Sequence, residues 1–155
     1  MNVSQSILNA LAIDLVKINS NNGYVNIIKQ SIAGYVAFGE QLELPIASYA
    51  LGPEEIVSRD RGDAIATKHV QLIIEILYDT KNEAGAITDL QETLIEDVKK
   101  HFRQDTGIAA AYWSTLYNIA YITSIVLNKV YRGIEWKDLQ GRISFIIDIE
   151  FTELI

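Results

Sequence analysis

Three carboxylates could do chemistry together. Asp148 and Glu150 sit two residues apart in an alternating stretch, so they share one face of a strand, and Glu75 sits in a second alternating stretch. Paired carboxylates can act as acid and base or hold a hard cation. The same alternation also produces an ordinary solvated sheet face, and that is the favoured reading here. The two histidines, His69 and His101, are far apart and show no positioned partner, so both read as structural.

Other chemistry is excluded by spelling. Gly34 and Gly39 have the spacing of a phosphate-binding loop, but Glu40-Gln41 follow where such a loop needs Lys and then Ser or Thr. No Gly-x-Gly-x-x-Gly, His-Glu-x-x-His or Gly-x-Ser-x-Gly occurs. With no cysteine there is no thiolate nucleophile, thiolate metal site or disulfide. Arg61-Gly62-Asp63 spells a cell-attachment tripeptide and reads as turn chemistry. No cofactor or metal site is expected, and no enzymatic activity.

The net charge of −7 over 155 residues opposes a broad nucleic-acid surface, which would need clustered Lys and Arg. At 49% hydrophobic and 21% charged residues the chain is globular in composition. Its start carries no positively charged leader, and no apolar run is long enough for a membrane span.

The elements that must position these residues follow from periodicity. Ile7, Leu8, Leu11, Leu15 and Ile18 form one helical stripe, interrupted by Asp14 and closed at Asn19–Gly23. Ile27, Ile28 and Ile32 allow a short strand. Pro45–Leu51 reads as a strand, and Gly52–Lys68 as a long charged connection. Val70, Leu72, Ile74, Ile76 and Tyr78 alternate as a strand. A helix is expected over Thr88–Arg103, with Thr88 and Gln91 as a capping box and Ile87, Leu90, Leu94, Ile95, Val98 and Phe102 as its buried stripe. A further strand lies within Leu116–Leu127, a loop over Asn128–Gly141 carries Arg132, Gly133 and Trp136, and a closing strand runs Arg142–Thr152. The expected fold is α+β: a single domain over residues 1–155, a mostly antiparallel sheet of about four strands, and two main helices.

The order of these segments resembles the tail terminator (tail completion) proteins of long-tailed bacteriophages. The resemblance rests on the helix closing at Ile18-Asn19-Ser20-Asn21-Asn22-Gly23-Tyr24, on Leu44-Pro45-Ile46-Ala47-Ser48-Tyr49, and on the Gly52-Pro53-Glu54-Glu55 turn before a long loop and strand. It does not extend to Ala109–Trp136. It implies a homo-oligomeric ring, typically a hexamer, in the virion neck. Such a ring caps the tail tube protein and docks the head-tail connector or stopper protein, and DNA passes through without specific binding. It also implies that the charged loop is the subunit contact, through Glu54, Glu55, Arg59, Asp60, Arg61 and Asp63. Another neck component (a stopper or adaptor), a ligand-binding α+β domain and a carboxylate-based enzyme are the alternatives.

Overall fold

The computed structural model describes residues 2–36, 43–60, 64–79, 84–135 and 140–154. Helix α1 spans Val3–Asp14, and the Asn2 side chain caps it by accepting from the Gln5 N–H at 2.7 Å. Two short 3₁₀ turns follow, Leu15–Lys17 and Ser20–Asn22. Gly23, at φ 97°, takes the left-handed conformation that ends this region. The expected stripe holds: Ile7, Leu11, Leu15 and Ile18 are fully buried.

Five strands form one sheet: β1 (Gln30–Ala33), β2 (Ile46–Arg59), β3 (Ile65–Asp79), β4 (Ile122–Glu135) and β5 (Gln140–Leu154). Their spatial order is β1-β2-β3-β5-β4. β1 runs parallel to β2, and the other pairings are antiparallel. Helix α2 (Ala84–Arg103) links β3 to β4.

Alternation decides which face is covered. Val70, Leu72, Ile74, Ile76 and Tyr78 of β3 and Ile143, Phe145, Ile147, Ile149 and Phe151 of β5 are buried. Their cross-strand pairs, such as Ile74 with Phe145 and Leu72 with Ile147, form one apolar sheet face. α1 and α2 cover that face, with Ile87, Leu94, Ile95, Val98 and Phe102 of α2 joining the same core. Each such Leu or Ile contributes roughly 1.5–3 kcal/mol by leaving water. The opposite face presents Gln71, Ile73 and Glu75 of β3 beside Ser144, Ile146, Asp148 and Glu150 of β5, all half-buried. This is the α+β arrangement in which helices collect on one face of an antiparallel sheet.

The structure corrects four expectations. The sheet has five strands against about four expected, the short strand allowed around Ile27, Ile28 and Ile32 being β1, Gln30–Ala33, which lies parallel at the edge. Gly52–Lys68 is no connection. β2 continues to Arg59, β3 starts at Ile65, and the two stay paired from Glu54 with Val70 to Arg59 with Ala66. Every residue from Pro53 to Asp60 is exposed, so neither face demands apolar residues and the strand signal disappears.

Likewise, the strand expected within Leu116–Leu127 starts only at Ile122 and runs to Glu135, so Asn128–Glu135 is strand where a loop was expected. It is an edge strand with a bulge between Leu127 and Lys129, so its burial does not alternate strictly and the period is lost. Finally, α2 begins at Ala84, which places Thr88 inside the helix and removes the capping box. The Gln91 side chain instead donates to the Tyr78 hydroxyl at 2.7 Å. Gly39, Glu40, Gln41, Arg61, Gly62, Asp63 and Trp136 lie outside the described residues.

Candidate functional site

The outer parts of β2 and β3 form a paired arm at one end of the sheet. Among the described residues its strands pair with each other and, through β3, with the end of β5, where Ile65 meets Leu154. The arm exposes apolar as well as charged side chains: Ile56 is 49% exposed and Val57 56%.

The six charges expected at a subunit contact divide by position. Glu54 is tied down within the chain: it accepts from the Ser4 hydroxyl at 2.8 Å and lies 3.7 Å from the Lys68 ammonium. Asp60 closes the hairpin, its carboxylate accepting the Ile65 N–H at 3.0 Å while its own N–H donates to the Ile65 carbonyl at 2.9 Å. Glu55 and Arg59 stand exposed and have no partner among the described residues. Arg61 and Asp63 lie outside the described residues.

At the arm's root, Glu153 accepts the Val3 N–H at 2.8 Å and the Lys68 ammonium at 2.9 Å. These bonds hold its carboxyl below the usual range despite partial burial, and Glu153 in turn holds Lys68 above its usual value. A groove of about 340 Å³ opens here between Val3, Ile65, Tyr121, Glu153 and Leu154. Its one carboxylate, Glu153, is already engaged by Val3 and Lys68.

The three carboxylates that could do chemistry share the open sheet face, with Asp148 and Glu150 as same-face neighbours on β5 and Glu75 standing apart from both. Glu75 pairs with Ser144 and Asp148 with Gln71, four residues apart along β5. At about 3.3 Å per residue this separates the two by roughly 13 Å, too far for one cation. Each also has its own partner. Arg142 engages Glu75 and stacks 4.6 Å over the Tyr35 ring, and His69 Nε2 lies 3.0 Å from Asp148 Oδ1. Among the described residues no three His, Asp or Glu side chains could hold a metal ion.

A second polar group, which periodicity does not reveal, is sealed in the core. Asp14 at the end of α1 receives His101 Nε2 at 3.0 Å, the Ser114 hydroxyl at 2.9 Å and the Thr115 N–H at 2.6 Å. His101 Nδ1 lies 2.9 Å from the Tyr24 hydroxyl, which donates to the Tyr112 carbonyl at 2.7 Å. Ser, His and Asp are thus adjacent, but Ser114 donates to Asp14 and not to His101. All three are at most 2% exposed. A nucleophile needs a base at its own hydroxyl and access to substrate. This group has neither, and it acts as a clasp joining α1, α2 and the segment before β4. Burial pushes the Asp14 carboxyl up, but the His101 bond and charge and the Thr115 N–H outweigh it, so the net shift is downward.

Asp97 makes a parallel attachment. Its carboxylate accepts the Val25 N–H at 2.9 Å and the Asn26 N–H at 2.8 Å, which fixes the turn after Gly23 to α2. Among the described residues no helix is long and apolar enough to cross a membrane. Comparison with protein-family models and with curated proteins finds no match.

Proposed function

We propose that the chain is a structural assembly subunit of the tail-terminator kind. It forms a ring in the virion neck that caps the tail tube and joins it to the head connector. The observation that carries this reading is the β2–β3 arm. Pro53–Asp60 is exposed throughout, and Ile56 and Val57 face water without contributing to the chain's own core. With Ile65 and Leu154 exposed beside them at the same end of the sheet, they offer apolar contact area to a partner. Engagement of Glu75, Asp14 and His101 within the chain favours a scaffold over a catalyst.

In a closed ring every subunit presents the same two unlike patches, one to each neighbour. The charge of −7 suits a channel through which DNA slides, because like charges repel along its wall.

The test is native mass and negative-stain imaging over a concentration series, with co-sedimentation against polymerised tail tube protein. Rings, or binding confined to tube ends, are expected. A chain that neither self-associates nor binds the tube overturns the reading. Binding to the connector without the tube would assign the chain to a stopper or adaptor position instead.

A further inference from the structure

The sheet ends in two unlike free edges. Among the described residues, β4 on one side has no strand beyond it over its full length, Ile122–Glu135. On the other side β1 covers β2 from Ile46 to Tyr49, and among the described residues the outer edge of β2 beyond Tyr49 has no paired strand. An unpaired edge is a template for another chain. We propose that a second copy of this chain places the outer edge of its β2 arm, Pro53–Arg59, antiparallel against β4, so that one sheet continues into the next. The contact rests on the self-assembly reading above and specifies its surface.

Direction supports the pairing. β3 is antiparallel to β2, β5 to β3 and β4 to β5, so β4 runs opposite to β2. A neighbour that keeps the same strand axis therefore meets β4 in the antiparallel sense, the one that needs no crossover.

Obstruction sets the register. Following the rows of the sheet, Glu54 is level with Val70, Ile149 and Ile125. In a neighbour docked at that level, the late part of β4 would run into β1, which ends where Ala33 pairs with Tyr49. β4 must slide toward the arm tip. Between bulges, antiparallel strands keep the sum of paired residue numbers constant, and each bulge shifts that sum by one. Setting Glu55 opposite Lys129 and counting through the bulges brings Gly133 level with Ala50, just past the end of β1, so that only Ile134 and Glu135 must turn aside, and it brings Arg59 opposite Ile125.

Charge and facing agree with that register. Glu55 pairs with His69, and Lys129 with Ile146, so both project on the open face of the sheet. Both are exposed, and neither has a partner among the described residues. Directly opposed residues of antiparallel strands project on the same face, so the two would meet as a cross-strand ion pair. Pro53 and the bulges on both strands limit how far such pairing can spread, which favours one register over slippage.

Two experiments test the contact. The first is a charge exchange followed by sedimentation. Glu55→Lys and Lys129→Glu should each weaken self-association roughly tenfold, and the double exchange should recover most of it, with melting temperatures unchanged. The second uses the absence of native cysteine. Glu55→Cys with Lys129→Cys should oxidise to a ladder of covalent multimers, whereas Glu55→Cys with Asp89→Cys should not. A protein that forms rings yet shows neither the ladder nor the recovery overturns the edge contact and leaves the ring intact as a reading. A protein that stays monomeric across the whole concentration series also overturns it, and tube capping is then decided by tube binding alone.

Discussion

His101 Nε2 and Asp14 Oδ2 lie 3.0 Å apart, 87 residues apart in the chain, with both side chains fully buried. Three donors converge on the Asp14 carboxylate: His101 and Ser114 on one oxygen, the Thr115 N–H on the other. An amide keeps the shape of this group but removes its charge and replaces one of its two acceptor oxygens by a donor. Asp14→Asn should therefore cost about 3–5 kcal/mol, the range for breaking one partner of a buried pair. Chemical denaturation with an unchanged slope would report it. A loss below 1 kcal/mol would show that the clasp is dispensable.

The same carboxylate predicts an acid limit. Its folded pKa lies below the ordinary 3.8, so the unfolded chain binds the proton first as pH falls. The stabilisation is complete above about pH 5 and fades below about pH 4 as the folded pKa is approached. Glu153, shifted the same way, adds to the loss in that window. Melting curves from pH 7 to pH 2.5 should show the gap between parent and Asp14→Asn narrowing as pH falls. A constant gap would remove Asp14 from the acid response.

Gly141 predicts a steric limit. It pairs with Tyr78 across β3 and β5, and a Cβ built on it would lie 2.1 Å from the ring. Tyr78 is fully buried, and burial pushes its phenol up to about 12 despite the bond from Gln91. The ring has nowhere to move. Gly141→Ala should cost about 1–3 kcal/mol by overpacking. An unchanged melting temperature would mean that the strand pair can open at no cost.

These relationships explain what the amino-acid sequence revealed and what it hid. β3, β5 and the stripe of α2 were readable because one face of each is buried, which imposes a period on residue type. The arm and the late half of β4 were not, because Glu54–Arg59 are all exposed and of Asn128–Glu135 only Val130 and Ile134 pack against the core, so burial filters few of these positions. For the clasp, Asp14 falls within the buried run of Leu11, Leu15 and Ile18, and an acid at a buried stripe position demands a partner. Nothing local names His101, since that contact exists only after α1 and α2 have docked.

Ile95 tests how far the α2 stripe carries the fold. It is 1% exposed and packs in the same cluster as Leu94, Val98 and Phe102. Ile95→Lys places an ammonium inside this apolar cluster. The expected outcome is loss of cooperative unfolding, or a melting point lower by more than 10 °C. Retention of the parent melting temperature would mean that α2 can lift from the sheet without unfolding it.

The arm charges give the test most specific to assembly. Arg59 is exposed, has no partner among the described residues, and is paired across the arm only with the small Ala66. Reversing it costs the fold little, because surface substitutions of this kind fall within about 0.5 kcal/mol. Arg59→Glu combined with Arg61→Glu turns a mixed arm into a strongly acidic one beside Glu54, Glu55, Asp60 and Asp63. Each subunit, already at −7, then carries four more negative charges, so neighbouring subunits repel more strongly as a contact forms, and the effect should weaken as salt screens it. Ring formation should fall steeply at low ionic strength and recover in part at high ionic strength, with the melting temperature unchanged throughout. Intact rings in the double variant at low salt would remove the arm tip from the subunit contact.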